Sequence, residues 1–214
     1  MLPEAARRRM VDRQLRPRGI YDARVLAAME RVPREQFVRD GDRERAYDDD
    51  PLPIGYGQTI SQPLMVALIC QEAAVHPGQR VLDVGVGSGY QAAVLAVLGA
   101  EVHAVERIPE LVAFARRNLE RAGYADRVTV HEGDGTLGLP EQAPFDRIVV
   151  AAAAPRTPET LYGQLVANGR LVVPVGPRTD QRLVVIVASP EGAAVARTVP
   201  CRFVPLVGAE GFAG

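Results

Sequence analysis

Between Val81 and Tyr90 the chain reads Val-Leu-Asp-Val-Gly-Val-Gly-Ser-Gly-Tyr, and this stretch restricts the fold more tightly than any other. The branched apolar residues Val81, Leu82 and Val84 predict a buried strand. Gly85, Gly87 and Gly89 predict a tight turn in which the backbone can approach a ligand closely. The Ala/Val/Leu-rich run from Gln91 predicts a helix whose N-terminus favours polar or anionic groups. A second apolar strand, Val102 to Val105, ends in Glu106, 21 residues after Gly85 (106 − 85). An acid at that place can accept hydrogen bonds from two ribose hydroxyls, so the unit predicts a site for a nucleoside-bearing ligand.

The glycine spacing narrows the ligand. A dinucleotide fingerprint, G-x-G-x-x-G, needs its third glycine at position 90, and that residue is Tyr90. The pattern present is G-x-G-x-G with Asp83 two positions before its first glycine. It resembles the nucleotide loop of S-adenosylmethionine-dependent methyltransferases, whose cofactor has no pyrophosphate. A glycine-rich turn without a ligand is the plainer alternative, and Glu106 weighs against it.

Hydrophobic patterning organises the rest. Residues 4–18 read as an arginine-rich amphipathic helix in which Arg7, Arg8 and Arg9 form a solvated face. Balanced charge and the lack of interleaved aromatics weigh against an RNA patch. Asp22 caps a second predicted helix, Ala23 to Arg31, and a turn follows at 34–38. The acidic, proline-rich passage 48–55 reads as a solvated loop. A buried helix is predicted from Gln62 to Ala74. Strands are then predicted at 80–84, 101–105, 127–131, 145–151, 169–175 and 182–188, and helices at 89–98, 109–122 and 157–167. Pro109 suits a first helical turn and Gly123 a C-terminal stop. Such alternation implies a parallel, doubly wound sheet, with an antiparallel far edge where helical crossovers run out. The ligand belongs at the carboxyl ends of the strands, in loops 85–89, 106–108, 132–137 and 151–157. Glu132-Gly-Asp-Gly135 places an acid between glycines after the third of these strands, within reach of an adenine amino group; an ordinary Asp-Gly turn is the alternative.

With 214 residues, 47% hydrophobic and 24% charged residues and a net charge of −1, the composition suits one α/β domain and supplies no global pull toward nucleic acid or acidic membranes. The N-terminal stretch lacks the apolar segment of a secretory signal, and no run approaches a membrane span. Cys70 and Cys201 lack metal-ligand spacing and read as packed thiols, so no metal and a reducing cytoplasm are the expectation.

Three further segments carry a more specific resemblance. They are Leu52-Pro-Ile-Gly-Tyr-Gly-Gln-Thr-Ile-Ser-Gln-Pro63, the run from Asp134-Gly135 through Pro144-Phe-Asp-Arg-Ile-Val-Val150 to Pro155, and Arg202-Phe-Val-Pro-Leu-Val-Gly208. With Val81 to Tyr90 they closely resemble the protein-L-isoaspartate (D-aspartate) O-methyltransferases. Met10-Val-Asp-Arg-Gln-Leu15 and Val32-Pro-Arg-Glu-Gln-Phe-Val38 also look like that family's N-terminal region. The resemblance implies a Rossmann-like class I S-adenosylmethionine-dependent methyltransferase fold, a mostly parallel doubly wound α/β sheet with an N-terminal helical extension. A single methyltransferase domain spans 1–214, comprising an extension at 1–55, a core at 56–200 and a substrate-edge segment at 201–214.

The resemblance further implies repair: S-adenosylmethionine methylates the free α-carboxylate of L-isoaspartyl residues in damaged proteins and peptides, leaving S-adenosyl-L-homocysteine. Ser61 and Thr59 are then the catalytic positions. Asp83, Gly85, Gly87, Gly89, Glu106, Asp134 and Gly135 hold the cofactor, with Glu106 on the ribose and Asp134 on the adenine. Thr59, Ile60, Ser61, Val204, Pro205 and Leu206 meet the substrate. A monomer that binds neither nucleic acid nor membrane is implied. Val86, Leu64 and Ala151 depart from residues common in the family without removing an assigned role.

The chemistry suits these residues. A carboxylate is already ionised at neutral pH and needs no general base, in keeping with three scattered histidines, His76, His103 and His131. What it needs is orientation and partial desolvation, and hydroxyls at i and i+2 can hold one oxygen while the other attacks. Ser61 also reads as the N-cap of the following helix, with Pro63 in its first turn. A strand-like edge at 203–207 would bind substrate backbone without reading side chains. Rivals are a relative acting on an aspartate of a dedicated ribosomal peptide to drive succinimide formation, and a non-catalytic cofactor-binding module. The Ala-rich loop 151–155 disfavours a nucleic-acid methyltransferase.

Overall fold

The computed structural model describes residues 3–189 and 192–213. The valine-rich runs form the middle of a seven-stranded sheet made of β3 (Arg80–Val84), β4 (Glu101–Glu106), β5 (Val128–Glu132), β6 (Phe145–Val150), β7 (Leu165–Val175), β8 (Gln181–Ser189) and β9 (Gly192–Cys201). Its order is β5-β4-β3-β6-β7-β8-β9. The first five positions pair in parallel, and β8 and β9 turn back antiparallel, as the missing crossovers predict. Strand β9 has no counterpart in the sequence reading, because its exposed run Gly192–Cys201 lacks an apolar face.

Central strands buried on both faces need apolar residues at successive positions, and β3 shows this: Val81, Leu82, Asp83 and Val84 are all fully buried. One sheet face, through Val81, Val149 and Val172, packs against α3 (Pro63–Ala73), α4 (Tyr90–Val97) and α5 (Pro109–Ala122). The N-terminal helices α1 (Pro3–Met10) and α2 (Ala23–Arg31) join the same core through Met10, Leu26 and Met29. The other face, through Leu82, Ile148 and Leu171, is covered by a thin layer containing α6 (Glu159–Tyr162) and Leu206. Asp22 caps α2 by accepting from the Arg24 and Val25 amides, Pro109 opens α5, and Gly123 closes it at φ 78°.

Five expectations change. The helix predicted at 157–167 is a single turn, Glu159–Tyr162, and β7 already begins at Leu165. The cause is tertiary: buried Gln164 accepts from the Leu139 amide (2.9 Å), donates to the Leu137 carbonyl (2.8 Å), and its own carbonyl accepts from the Phe145 amide (2.8 Å). The helix predicted at 4–18 passes from α1 into a π-helical turn at Val11–Leu15 and a 3-10 turn at Arg16–Arg18, tightened around Pro17. Its basic face is only partly solvated, since Arg7 donates to the Arg31 carbonyl (2.8 Å) and lies 3.8 Å from Glu35.

The passage 48–55 is not a free loop. Leu52–Gly55 forms β1, paired antiparallel with β2 (Gln58–Ile60), and Asp49 both pairs with Arg18 and accepts from the Leu64 amide (3.2 Å). Asp49 therefore satisfies a free N–H at the start of α3. The residue in the N-cap position is Gln62, which makes no side-chain cap, so Ser61 does not cap this helix.

Candidate active site

Strands β3 and β6 lie side by side while their onward connections run to opposite sides of the sheet, which opens a crevice at their carboxyl ends. A cavity of about 830 Å3, open solvent at its mouth included, fills that crevice beneath the β1–β2 hairpin. From the expected residues, Gly85, Gly87, Glu106 and Gly135 line one part of it, and Thr59, Ile60, Ser61, Val204, Pro205 and Leu206 another. Asp83, Gly89 and Asp134 stand behind the wall and do not line it.

The glycine loop is built for close approach. The Gly85 and Val86 amides donate to the Val105 carbonyl (2.9 and 3.2 Å), pinning the turn to β4. Gly89 sits at φ 89°, a left-handed conformation that side chains resist. Glu106 then organises the next layer. One carboxylate oxygen accepts from the Gly87 amide (3.1 Å), the other from the Arg107 and Ile108 amides (2.9 and 3.1 Å). A carboxylate has about four acceptor sites, so with three amides bound Glu106 retains about one for a ribose hydroxyl.

Asp83 is fully buried. One oxygen accepts from the Gln91 side-chain amide (2.8 Å), and the other has no partner among the described residues. Burial pushes its carboxyl up to about 7; the Gln91 hydrogen bond opposes this and the Glu106 charge adds to it. An orphaned acidic oxygen just behind Gly85 suits a ligand whose amino-acid part is cationic. Together with the remaining acceptor site of Glu106 and the size of the cavity, it fits S-adenosylmethionine.

Tyr90 lines the same cavity, and its ring is fixed by Phe37 (centroids 5.7 Å apart) and by the Arg34 guanidinium (4.9 Å above it). Arg34 is fully buried; burial pulls its pKa down to about 10 against the opposing effect of Tyr90, Tyr47 and Asp49, so it stays charged at neutral pH. The N-terminal extension thereby reaches the first residue of α4.

At the other end, Thr59 and Ser61 present hydroxyls that make no hydrogen bond to any described residue. The extended segment Val204–Leu206 is held to the loop after β6 by two bonds, Ala153 amide to Val204 carbonyl (2.8 Å) and Leu206 amide to Ala153 carbonyl (2.7 Å). Alternation along an extended chain turns the Val207 amide and the Pro205 carbonyl the other way. Both are without an intramolecular partner among the described residues, and both residues line the cavity.

Asp134 departs most from expectation. One of its oxygens accepts from the Thr136 amide (2.9 Å) and hydroxyl (2.7 Å), the other from the Ala209 amide (2.7 Å). Burial raises its pKa, but these hydrogen bonds and the Arg107 charge outweigh burial and hold it below the ordinary value. The sequence reading gave no site role to Ile54 and Gln58, which also line the cavity, whereas Arg107, Ile108 and Val207 fall in the loop 106–108 and the edge 203–207 that it marked. The Gly55-Tyr56-Gly57 turn between Leu52-Pro-Ile54 and Gln58-Thr-Ile60 was a signal for the hairpin.

Away from the cavity, His103 and His131 are not scattered. The parallel register of β4 and β5 brings their rings into contact, Nδ1 to Nε2 at 3.2 Å, and His103 also meets Glu101 (3.1 Å). Buried His103 is thus a satisfied core histidine. Cys70 and Cys201 are free thiols, the first fully buried and the second half-buried. No helix among the described residues is long and apolar enough to cross a membrane.

Comparison with known proteins agrees with this geometry. Residues 6–211 match the family model described as protein-L-isoaspartate(D-aspartate) O-methyltransferase. A protein-L-isoaspartate O-methyltransferase of Hyperthermus butylicus is 54% identical over 218 residues, covering 97% of this chain and 90% of that one. Its counterpart in Gloeobacter violaceus is 55% identical over 198 residues, covering 92% and 96%. Among solved structures, a Plasmodium falciparum protein-L-isoaspartate O-methyltransferase (PCMT) in complex with S-adenosyl-L-homocysteine superposes with a TM-score of 0.83 at 29% identity, covering 94% of this chain and 98% of that one. With nearly its whole length matched, this chain belongs to the protein-L-isoaspartate(D-aspartate) O-methyltransferase family.

Proposed function

We propose that this protein repairs damaged proteins and peptides by methylating the free α-carboxylate of L-isoaspartyl residues. One observation carries the proposal: a single cavity presents an acid able to hold a ribose at one end, and two free hydroxyls beside an unpaired backbone edge at the other. When bound, S-adenosylmethionine supplies a methyl group on a positively charged sulfur. Glu106 holds the ribose, and the backbone of Gly85, Gly87 and Gly135 gives the cofactor close approach. Asp83, buried behind the loop, supplies an acid on the side suited to the cationic amino-acid part.

The substrate arrives as its own nucleophile, because an α-carboxylate with pKa about 3.5 is ionised at neutral pH. Thr59 and Ser61 donate to one carboxylate oxygen and leave the other directed at the methyl carbon. Placement of this kind lowers a barrier by several kcal/mol (about 7–11 at its limit). Neutral donors weaken the nucleophile less than an ion pair would. The Val207 amide and Pro205 carbonyl pair with substrate backbone, which admits many flanking sequences. The reading places the enzyme in the cytoplasm, acting as a monomer on isoaspartyl proteins, with Asp134 and Gly89 supporting the site from behind its wall.

The test is methyl transfer from labelled S-adenosylmethionine to two peptides identical except for L-isoaspartate or L-aspartate at one position. Label in the isoaspartyl peptide alone is the expected result. Label in neither peptide, with cofactor binding intact, would refute the proposal.

A further inference from the structure

We infer that Asp134 is a positioning residue for the substrate edge, latching the C-terminal segment against the cofactor cavity. This rests on the reading of residues 204–207 as the edge that meets the substrate.

The contacts form one connected hook. After Leu206 the chain folds back on itself: the Phe212 amide donates to the Leu206 carbonyl (2.7 Å) and the Gly211 amide to the Gly208 carbonyl (3.1 Å). The folded tip is then fastened at three points. The Ala209 amide donates to Asp134 (2.7 Å), the Glu210 amide to the Thr136 hydroxyl (3.1 Å), and the Thr160 hydroxyl to the Glu210 carboxylate (2.6 Å). The Thr136 hydroxyl in turn donates to Asp134 (2.7 Å), so two of the three fastenings converge on one carboxylate.

The fit leaves no room for side chains. A Cβ at Gly208 would lie 2.6 Å from Asp134 Cγ, and one at Gly211 would run into the Leu206 carbonyl. Gly135, next to Asp134, lines the cavity, and a Cβ there would lie 2.7 Å from Val84 Cγ1 at the end of β3. The loop that meets the cofactor and the segment that meets the substrate are therefore fixed to each other by a group that does not itself line the cavity. The Ala153 bridge holds only Val204 and Leu206, whereas the Asp134 latch holds the turn that immediately follows Val207.

The experiment separates latching from adenine contact. Asp134→Asn keeps the shape of the side chain but cannot accept from both Thr136 and Ala209. Gly208→Ala keeps the carboxylate chemically intact but drives a methyl group against it, forcing the latch open. Thr160→Val loosens only the outer fastening. Each is assayed for peptide KM, for S-adenosylmethionine Kd by calorimetry, and for hydrogen exchange across 204–212. Loss of one hydrogen bond to a carboxylate corresponds to about tenfold. The expected result is an isoaspartyl-peptide KM raised about tenfold by Asp134→Asn and Gly208→Ala and less by Thr160→Val, with cofactor Kd within about twofold and faster exchange at 204–212. Unchanged peptide KM and exchange in Gly208→Ala, with cofactor Kd raised in Asp134→Asn, would overturn the inference in favour of a purely adenine-binding aspartate. If the wild-type enzyme methylates neither peptide, the functional reading falls, and exchange alone judges the latch: faster exchange in Gly208→Ala supports it and unchanged exchange overturns it.

Discussion

Asp83→Asn tests whether the motif acid is held in an unfavourable state before any ligand binds. Asp83 is fully buried, one of its oxygens is unpartnered, and burial moves its carboxyl from 3.8 to about 7. A carboxyl whose pKa is raised by folding contributes its full stability below pH 4 and loses it as pH rises through the folded value. Between those limits the folded chain holds a proton that the unfolded chain releases, so stability falls by about 1.4 kcal/mol per pH unit from this group alone. The gap of about 3 units sets a ceiling of about 4 kcal/mol. Asparagine is near-isosteric, keeps an acceptor for Gln91 and does not titrate. The variant therefore gains on the wild type by about 2.5 kcal/mol between pH 4.5 and pH 6.5. For a domain of this length that is roughly 5–10 °C in melting temperature. The assay is urea unfolding of both proteins without cofactor at half-unit pH steps from 4.5 to 8.5, comparing midpoints at constant slope. A difference between the two proteins that stays flat across that range would refute the argument, showing that Asp83 is ionised at little cost. A difference that grows to pH 7 and then levels would support it.

Two further outcomes follow from the cavity. Ser61→Ala is expected to lower turnover by about tenfold or more, the worth of one hydrogen bond to a carboxylate, while cofactor affinity measured by calorimetry stays within twofold; equal losses in both would move Ser61 to the cofactor side. Glu106→Ala removes the acceptor for three loop amides and for the ribose, so cofactor Kd is expected to rise at least about tenfold, with a loss of thermal stability in the unliganded protein; unchanged calorimetric affinity would refute the ribose assignment.

Local sequence sufficed wherever local physics decides. The run Val81–Val84 with its glycines, the Asp22 cap, and Pro109 and Gly123 at the ends of α5 all have the predicted conformations, because each depends on residues within a few positions. The parallel, doubly wound character of the central strands and their carboxyl-end crevice also follow from alternating periodicity. The spacing from Gly85 to Glu106 placed both in one cavity because adjacent parallel strands end at the same level.

What the sequence left open depends on partners far along the chain. The helix expected at 157–167 shrank to one turn because Gln164 is claimed by Leu137, Leu139 and Phe145. Asp49 serves α3 rather than solvent, which frees Ser61 for the cavity. The motif aspartate Asp134 was readable as a loop acid at the end of β5, but that its oxygens are taken by Thr136 and by Ala209, 75 residues away, is decided only by how the C-terminal segment folds back across the sheet. Backbone conformation is chosen by near neighbours, whereas the partner of a buried polar atom is whichever group the packed chain brings within about 3 Å.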